Sequence, residues 1–335
     1  MKKLLFLLIC PVIINCQESA KVLFIGNSYT YYNNMPNLIS GIANSKGDFF
    51  QSISQAPGGA SFYDHASNPT TFLKINNDSW DYVVLQGQSQ EISFSNSQVN
   101  TQSLPYIKQI SDSIYTNNPS SKILMYMTWG RENGDPQWPP ISTFDEMNGR
   151  LRLGYLRMAD SVGALVSPVG SAWKYVRDNN PGINLYDADG SHPSLQGSYL
   201  AACVFYAAIY RKSPVGSPAI GNISQSNANI LQAAAALTVL DSLYQWNIQD
   251  QFQNTSDLKP SDNSIIIYPN PTTHNTTVRV SNYKGNFQTE VYDLIGNRLQ
   301  TSNETIINLS DYARGIYLLK VTYGERVEEV KVIKD

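Results

Sequence analysis

The sequence predicts an α/β protein with a largely parallel sheet, followed by a small antiparallel β-sandwich, and three observations carry that prediction. Strand-like apolar runs alternate with helix-period stripes from residue 21 to about residue 250. A polar stretch without apolar period, carrying Pro260, follows over 251–263 and reads as a linker. Beyond it, short alternating segments are separated by turn signals such as Gly296-Asn297 and Arg314-Gly315. The expected organisation is therefore a leader over 1–19, an α/β domain over 20–250, a linker over 251–263 and a β domain over 264–335.

The chain opens with Lys2 and Lys3, an apolar run over 4–14, and polar Asn15, Gln17, Glu18 and Ser19. That is the layout of a secretory signal peptide, and the run is short for a membrane span. The 335 residues are 42% hydrophobic and 15% charged, as expected of a globular protein. A formal net charge of −3 with dispersed Lys and Arg points away from nucleic acid and anionic membrane surfaces. Of three cysteines, two lie in or beside the leader, so Cys203 is expected alone and buried in an apolar helix.

Val22, Leu23, Phe24 and Ile25 form the first strand, which stops at Gly26-Asn27-Ser28 and so delivers a serine to its carboxyl end. In an open α/β sheet that end is where ligands bind. Met35, Leu38, Ile39, Ile42 and Ala43 predict a helix over 33–46 behind it. Strand, tight turn with serine, then helix can expose a nucleophile, although Gly-Asn-Ser is also ordinary turn chemistry. Tyr82-Val83-Val84-Leu85 is a second strand, ending at Gln86-Gly87-Gln88-Ser89, and residues 121–127 are a third, ending at Thr128-Trp129-Gly130. Residues 164–169 are a fourth, and helices are expected around 104–114, 147–158, 199–210 and 227–246.

His192 is the second informative residue. Among three histidines it is the one with an aspartate three residues earlier, Asp189, and with Pro193 expected to open a helix behind it. A short loop lets that carboxylate fold back onto the imidazole, orienting the ring and leaving its other nitrogen for a serine hydroxyl. Asp-Gly-Ser-His could equally be a turn before a helix; paired with a strand-end serine, which needs a base, it reads as catalytic.

Gly26-Asn27-Ser28-Tyr29, Gly58-Gly59, Gln86-Gly87-Gln88-Ser89 and Asp189-x-x-His192 together resemble the four sequence blocks of the SGNH (GDSL-type) hydrolases. The first block resembles that of a bacterial Gly-Asn-Ser-Tyr branch, and the third is similar to that of sialate-O-acetylesterase-like enzymes. The resemblance covers 21 to about 250 and implies a flavodoxin-like three-layer fold. It further implies Ser28 as nucleophile, His192 as base and then acid, Asp189 as the group orienting it, and no cofactor. The implied oxyanion hole is the Ser28 and Gly59 backbone N–H groups with an amide side chain. The usual Gly-x-Asn is missing, Ser89 stands in the asparagine position, and Gln86 or Gln88 could supply the amide instead.

Tyr29, Tyr31, Tyr32, Phe62, Tyr63, Trp129 and Trp138 fall in loops expected at strand carboxyl ends. They could form a rim that stacks on sugars, or be core. Tyr29, Trp129 and His65 are taken as substrate contacts, with a structural histidine the alternative for His65. No His, Cys and carboxylate residues have metal-ligand spacing, so no metal is expected. The resulting expectation is a secreted esterase acting on acetyl or similar small acyl groups of carbohydrate. The alternative is a surface glycan-binding or adhesion protein that keeps a hydrolase-like fold without turnover.

Tyr268-Pro269-Asn270-Pro271, Tyr292-Asp293-Leu294-Ile295-Gly296, residues 309–317 and Lys331-Val332-Ile333-Lys334 resemble the type IX secretion C-terminal sorting domain of Bacteroidota. That resemblance implies the type IX machinery as partner and passage through the outer membrane, to the surface or the medium.

Overall fold

The computed structural model describes residues 17–248, 265–280, 285–293, 297–324 and 326–334. Most of the expected leader, the whole expected linker and residues 294–296 of the β domain's second motif lie outside the described residues. The chain divides into two compact units, Met1–Gln249 and Asp250–Asp335.

In the first unit five strands make one parallel sheet: β1 (Ser19–Ile25), β2 (Phe49–Gln55), β3 (Tyr82–Leu85), β4 (Lys122–Tyr126) and β5 (Leu165–Ser167). Their spatial order is β2-β1-β3-β4-β5, with every neighbouring pair parallel. The order reverses between β1 and β3, and at such a switch point the flanking crossovers run to opposite faces and leave a crevice outside the strand carboxyl ends. The flavodoxin-like topology expected of the α/β unit is thus present. β3 and the Val22–Ile25 part of β1 are buried throughout, because helices cover both faces of a parallel sheet.

The helix Leu195–Tyr210 starts just after His192 and is buried on all sides from Gly197 onward. Tyr206 donates its hydroxyl to Asp48 Oδ2 at 2.9 Å, and Tyr82 donates to Ile209 O at 3.1 Å, so this apolar rod is also tied to the sheet by polar contacts. Cys203 lies within it, free and buried, its thiol pushed up by burial. Pro193 does not open this helix; it pairs with Tyr186 in a β-bridge, and Ser194 is the cap, accepting the Gly197 N–H at 3.2 Å.

Two local expectations fail and one strand was not expected, each for a physical reason. The helix over 33–46 begins only at Met35, because Asn33 and Asn34 adopt left-handed backbone with φ of 51° and 54°. β2 is an unanticipated edge strand: its outward residues Phe49, Gln51 and Ile53 are exposed, which blurs the apolar signal. The strand expected over 164–169 stops at Ser167, and the helix Val169–Asn179 takes over.

Among its described residues the second unit has seven strands, paired antiparallel in two sheets. β6 (Ile265–Tyr268), β7 (Asn275–Val280) and β10 (Ile306–Asn308) form one, in the order β10-β7-β6. β8 (Phe287–Tyr292), β9 (Arg298–Ser302), β11 (Gly315–Tyr323) and β12 (Arg326–Lys334) form the other, in the order β12-β11-β8-β9. Along β11 every second residue, Tyr317, Leu319, Val321 and Tyr323, points into a core shared with Val278, Val291, Ile307 and Val332.

Candidate active site

The turn after β1 is held by one pair of amide side chains. Asn27 caps the short helix Ser28–Tyr31, its Oδ1 accepting the Tyr29 N–H at 3.1 Å. Its Nδ2 donates to Ala60 O at 3.0 Å and to Gly87 O at 3.2 Å, so one residue joins the loops after β1, β2 and β3. Gln86 completes the clamp: Oε1 accepts from the Asn27 N–H at 2.9 Å and from Thr30 Oγ1 at 3.0 Å, and Nε2 donates to Asn27 Oδ1 at 2.9 Å and to Gly87 O. Gly26 is required by this crowding, since a Cβ there would lie 2.4 Å from Thr30 Oγ1 and 2.6 Å from Gln86 Oε1.

Ser28 sits at the head of that turn, and His192 Nε2 lies 2.8 Å from its Oγ. On the far side of the ring, His192 Nδ1 is 2.5 Å from Asp189 Oδ2. Asp189 Oδ1 accepts the Ser191 and His192 N–H groups at 2.9 and 2.8 Å, which closes the loop around the carboxylate. Burial raises the Asp189 carboxyl, but the His192 ring and those two N–H groups outweigh it and hold it below its ordinary value. A proton on Nδ1 facing a carboxylate leaves Nε2 able to accept the serine proton. Ser28 and the distant Asp189–His192 loop are thereby brought together with the connectivity of a Ser-His-Asp relay.

Of the expected oxyanion donors, Ser28 N–H stands at a helix start and meets no protein acceptor among the described residues. Gly59 is exposed with φ of 71° in the turn closed by Ala60 N–H on Pro57 O, and its own N–H meets no protein acceptor among the described residues. Gln86 does not fit the donor role: its side chain is fully buried and its amide is spent in the clamp. The Gln88 amide folds onto its own loop, Nε2 facing Ser89 Oγ at 3.2 Å and Oε1 accepting the Gln90 N–H at 2.7 Å. Ser89 Oγ also accepts from Arg131 Nη2 at 3.1 Å, and Arg131 is paired with Asp135 at 3.2 Å. That arginine, at the β4 end, pins the third loop; sequence reasoning missed it, and its place just past Trp129-Gly130 was the available signal.

The expected substrate contacts are corrected. Tyr29 and Trp129 are 3% and 0% exposed, and they stack on each other at 4.7 Å, with Trp173 stacked on the far face of Trp129 at 3.9 Å. Rings so fully buried cannot receive a sugar. Their polar tips serve the loop that carries His192 instead: Tyr29 Oη is 2.6 Å from Ser191 Oγ, and Trp129 Nε1 donates to Ser191 O at 3.1 Å. His65 is buried, its Nε2 donating to Gly26 O at 2.8 Å, so it supports the turn and does not reach outward. Phe62 is core as well, whereas Tyr31, Tyr63 and Trp138 are 48%, 53% and 46% exposed. Tyr31 reaches the second loop, its hydroxyl 3.3 Å from where a Cβ on Gly58 would stand. Glu91 was also missed; buried, it accepts the Gln88 N–H at 3.1 Å, and burial raises its carboxyl above the ordinary value.

Residues 266–335 match the secretion system C-terminal sorting domain. The chain carries a type IX sorting domain. That domain directs export to the cell surface or the medium, and among the described residues no helix is long and apolar enough to cross a membrane. No curated protein matches the chain. Among solved structures, a DUF4886 family protein from Bacteroides uniformis is 20% identical with a TM-score of 0.59, over 66% of this chain and 95% of that one. A protein from Slackia heliotrinireducens, described as a candidate SGNH hydrolase, is 26% identical with a TM-score of 0.47, over 56% of this chain and 97% of its own. The acetyl xylan esterase AlAXEase is 18% identical with a TM-score of 0.41, over 56% and 99%. With the DUF4886 family protein the likeness is one of fold, over the α/β unit.

Proposed function

We propose that the exported protein is a serine esterase of the SGNH type that removes acetyl or other small acyl groups from carbohydrate. The observation that carries this reading is the hydrogen-bonded chain from Ser28 Oγ through His192 to Asp189. In the first step His192 Nε2 takes the Ser28 hydroxyl proton as Oγ attacks the ester carbonyl, and Asp189 stabilises the imidazolium that forms. The oxyanion is received by the Ser28 and Gly59 N–H groups, and donors so placed are each worth roughly 2.7 to 4 kcal/mol of barrier. His192 then returns its proton to the sugar oxygen, which leaves an acyl group on Ser28. Water, deprotonated by the same imidazole, releases the acid.

Carbohydrate is supported by the exposed aromatic rings of Tyr31, Tyr63 and Trp138, since Tyr and Trp combine a stacking face with a polar tip. Export to the cell exterior is consistent with a polymeric substrate. A fluorophosphonate probe should label Ser28 in the full chain, and His192→Ala should abolish labelling. Acetate release from acetylated glycans by the wild type, absent in Ser28→Ala, is expected. Turnover confined to long-chain lipid esters would overturn the carbohydrate assignment, and an unreactive Ser28 would leave a glycan-binding protein.

A further inference from the structure

The ring of Tyr32, four residues beyond Ser28, lies face to face with the His192 imidazole, the centroids 4.5 Å apart and the planes 25° from parallel. Its hydroxyl donates to Asp187 Oδ2 at 3.0 Å. Asp187 belongs to the loop of the base: its N–H donates to His192 O at 2.8 Å, and its carbonyl accepts the Gly190 N–H at 3.0 Å. One side chain from the nucleophile's turn therefore closes a circle of contacts with the loop that carries His192.

The geometry points to Tyr32 as a positioning residue for His192, its ring face holding the imidazole toward Ser28 and favouring the protonated form, with Asp187 fixing the ring. This rests on the serine-hydrolase reading above. An aromatic face attracts a cation and is nearly indifferent to a neutral ring. His192 becomes cationic only once it has taken the serine proton, so the stack strengthens as the tetrahedral species forms, which is when a contact accelerates the chemistry. The surroundings of the ring are otherwise accounted for. Asp189 meets Nδ1, Ser28 meets Nε2, and Tyr29 stands edge-on at 5.5 Å. Arg131 lies beyond Tyr29 against Ser89, and the Glu132 side chain sits beside Gly190.

The test uses the full chain, the rate of fluorophosphonate labelling, and kcat and KM for p-nitrophenyl acetate between about pH 5 and 9. Tyr32→Leu keeps an apolar side chain and removes the π face. It should lower kcat and the labelling rate about 10-fold, leave KM within about 2-fold, and move the acid limb of kcat/KM down by about half a pH unit. Tyr32→Phe should keep that limb in place and lose only about 2- to 3-fold, and Asp187→Asn, which leaves the ring untouched, should match it. A leucine variant that raises KM while kcat and the acid limb stay put would make Tyr32 a substrate platform and overturn the inference. So would a phenylalanine variant as impaired as the leucine one, since the hydroxyl and not the ring would then matter. A wild type that neither labels nor turns over would instead remove the hydrolase reading on which this one stands.

Discussion

Asp189 keeps half of its side-chain surface in solvent, yet its carboxyl stays ionised more readily than a free aspartate because His192 and two backbone N–H groups converge on it. His65 is the opposite case: buried beneath the Ser28 turn, it is held neutral, its imidazole pushed below the ordinary value by burial against the partial offset of Gly26 and Asp64. The unfolded chain therefore takes up a proton near pH 6.5 that the folded chain resists, so the contribution of His65 is complete above about pH 6.5 and is lost as pH falls through the lowered value. Thermal melts should show the wild type losing more Tm between pH 7.5 and 5.5 than His65→Asn loses; equal losses would mean the ring is already charged in the native state. At this scale the sequence was informative where chemistry demands a pair. Ser28 and His192 were legible because a strand-end serine and an Asp-x-x-His loop make sense together. Tyr29 and Trp129 were misread because a loop aromatic looks the same whether its faces are packed or open, and only Trp173, far along the chain, decides it.

The elements that matter are three loops at the carboxyl ends of β1, β2 and β3, and the Asn27–Gln86 clamp joins them. Gln86→Ala would strip buried partners from the Asn27 N–H, Asn27 Oδ1 and Thr30 hydroxyl together. An unpaired buried polar group costs about 1 to 3 kcal/mol, and several go at once. Urea unfolding of Gln86→Ala should thus show a loss of about 2 to 4 kcal/mol. Because both changes break one network, Asn27→Ala added to it should cost less than the sum of the two. Additive losses would mean the two amides act independently. Gln86 is spent on this clamp and buttresses the Ser28 turn. The sheet order was legible in kind, since apolar runs between helix stripes imply parallel strands. β2 was not, because an edge strand has one neighbour and half-polar faces, which weakens the alternation a reader relies on.

At the scale of the whole chain, the two units have separate apolar cores whose buried residues do not overlap: Ala20 to Ile248 contribute to one, Val278 to Val332 to the other. Every side chain of the candidate active site belongs to the first unit, and the sorting domain match lies wholly in the second. Chemistry and address are therefore separable if each core is sufficient for its own unit, and burial of the large aromatic set around Trp129, Trp173, Tyr155 and Phe205 argues that the first is. A chain ending at residue 248 should label with fluorophosphonate within about 2-fold of the full-length rate, since a unit with its own core contributes no residue to the one that holds the site. In a host with a type IX system the same truncation should stay inside the cell, while residues 257–335 fused to a neutral reporter should be exported without binding glycan. Loss of labelling on truncation would show that the β domain supports the site directly, and glycan capture by the reporter fusion would give that domain a binding role besides sorting.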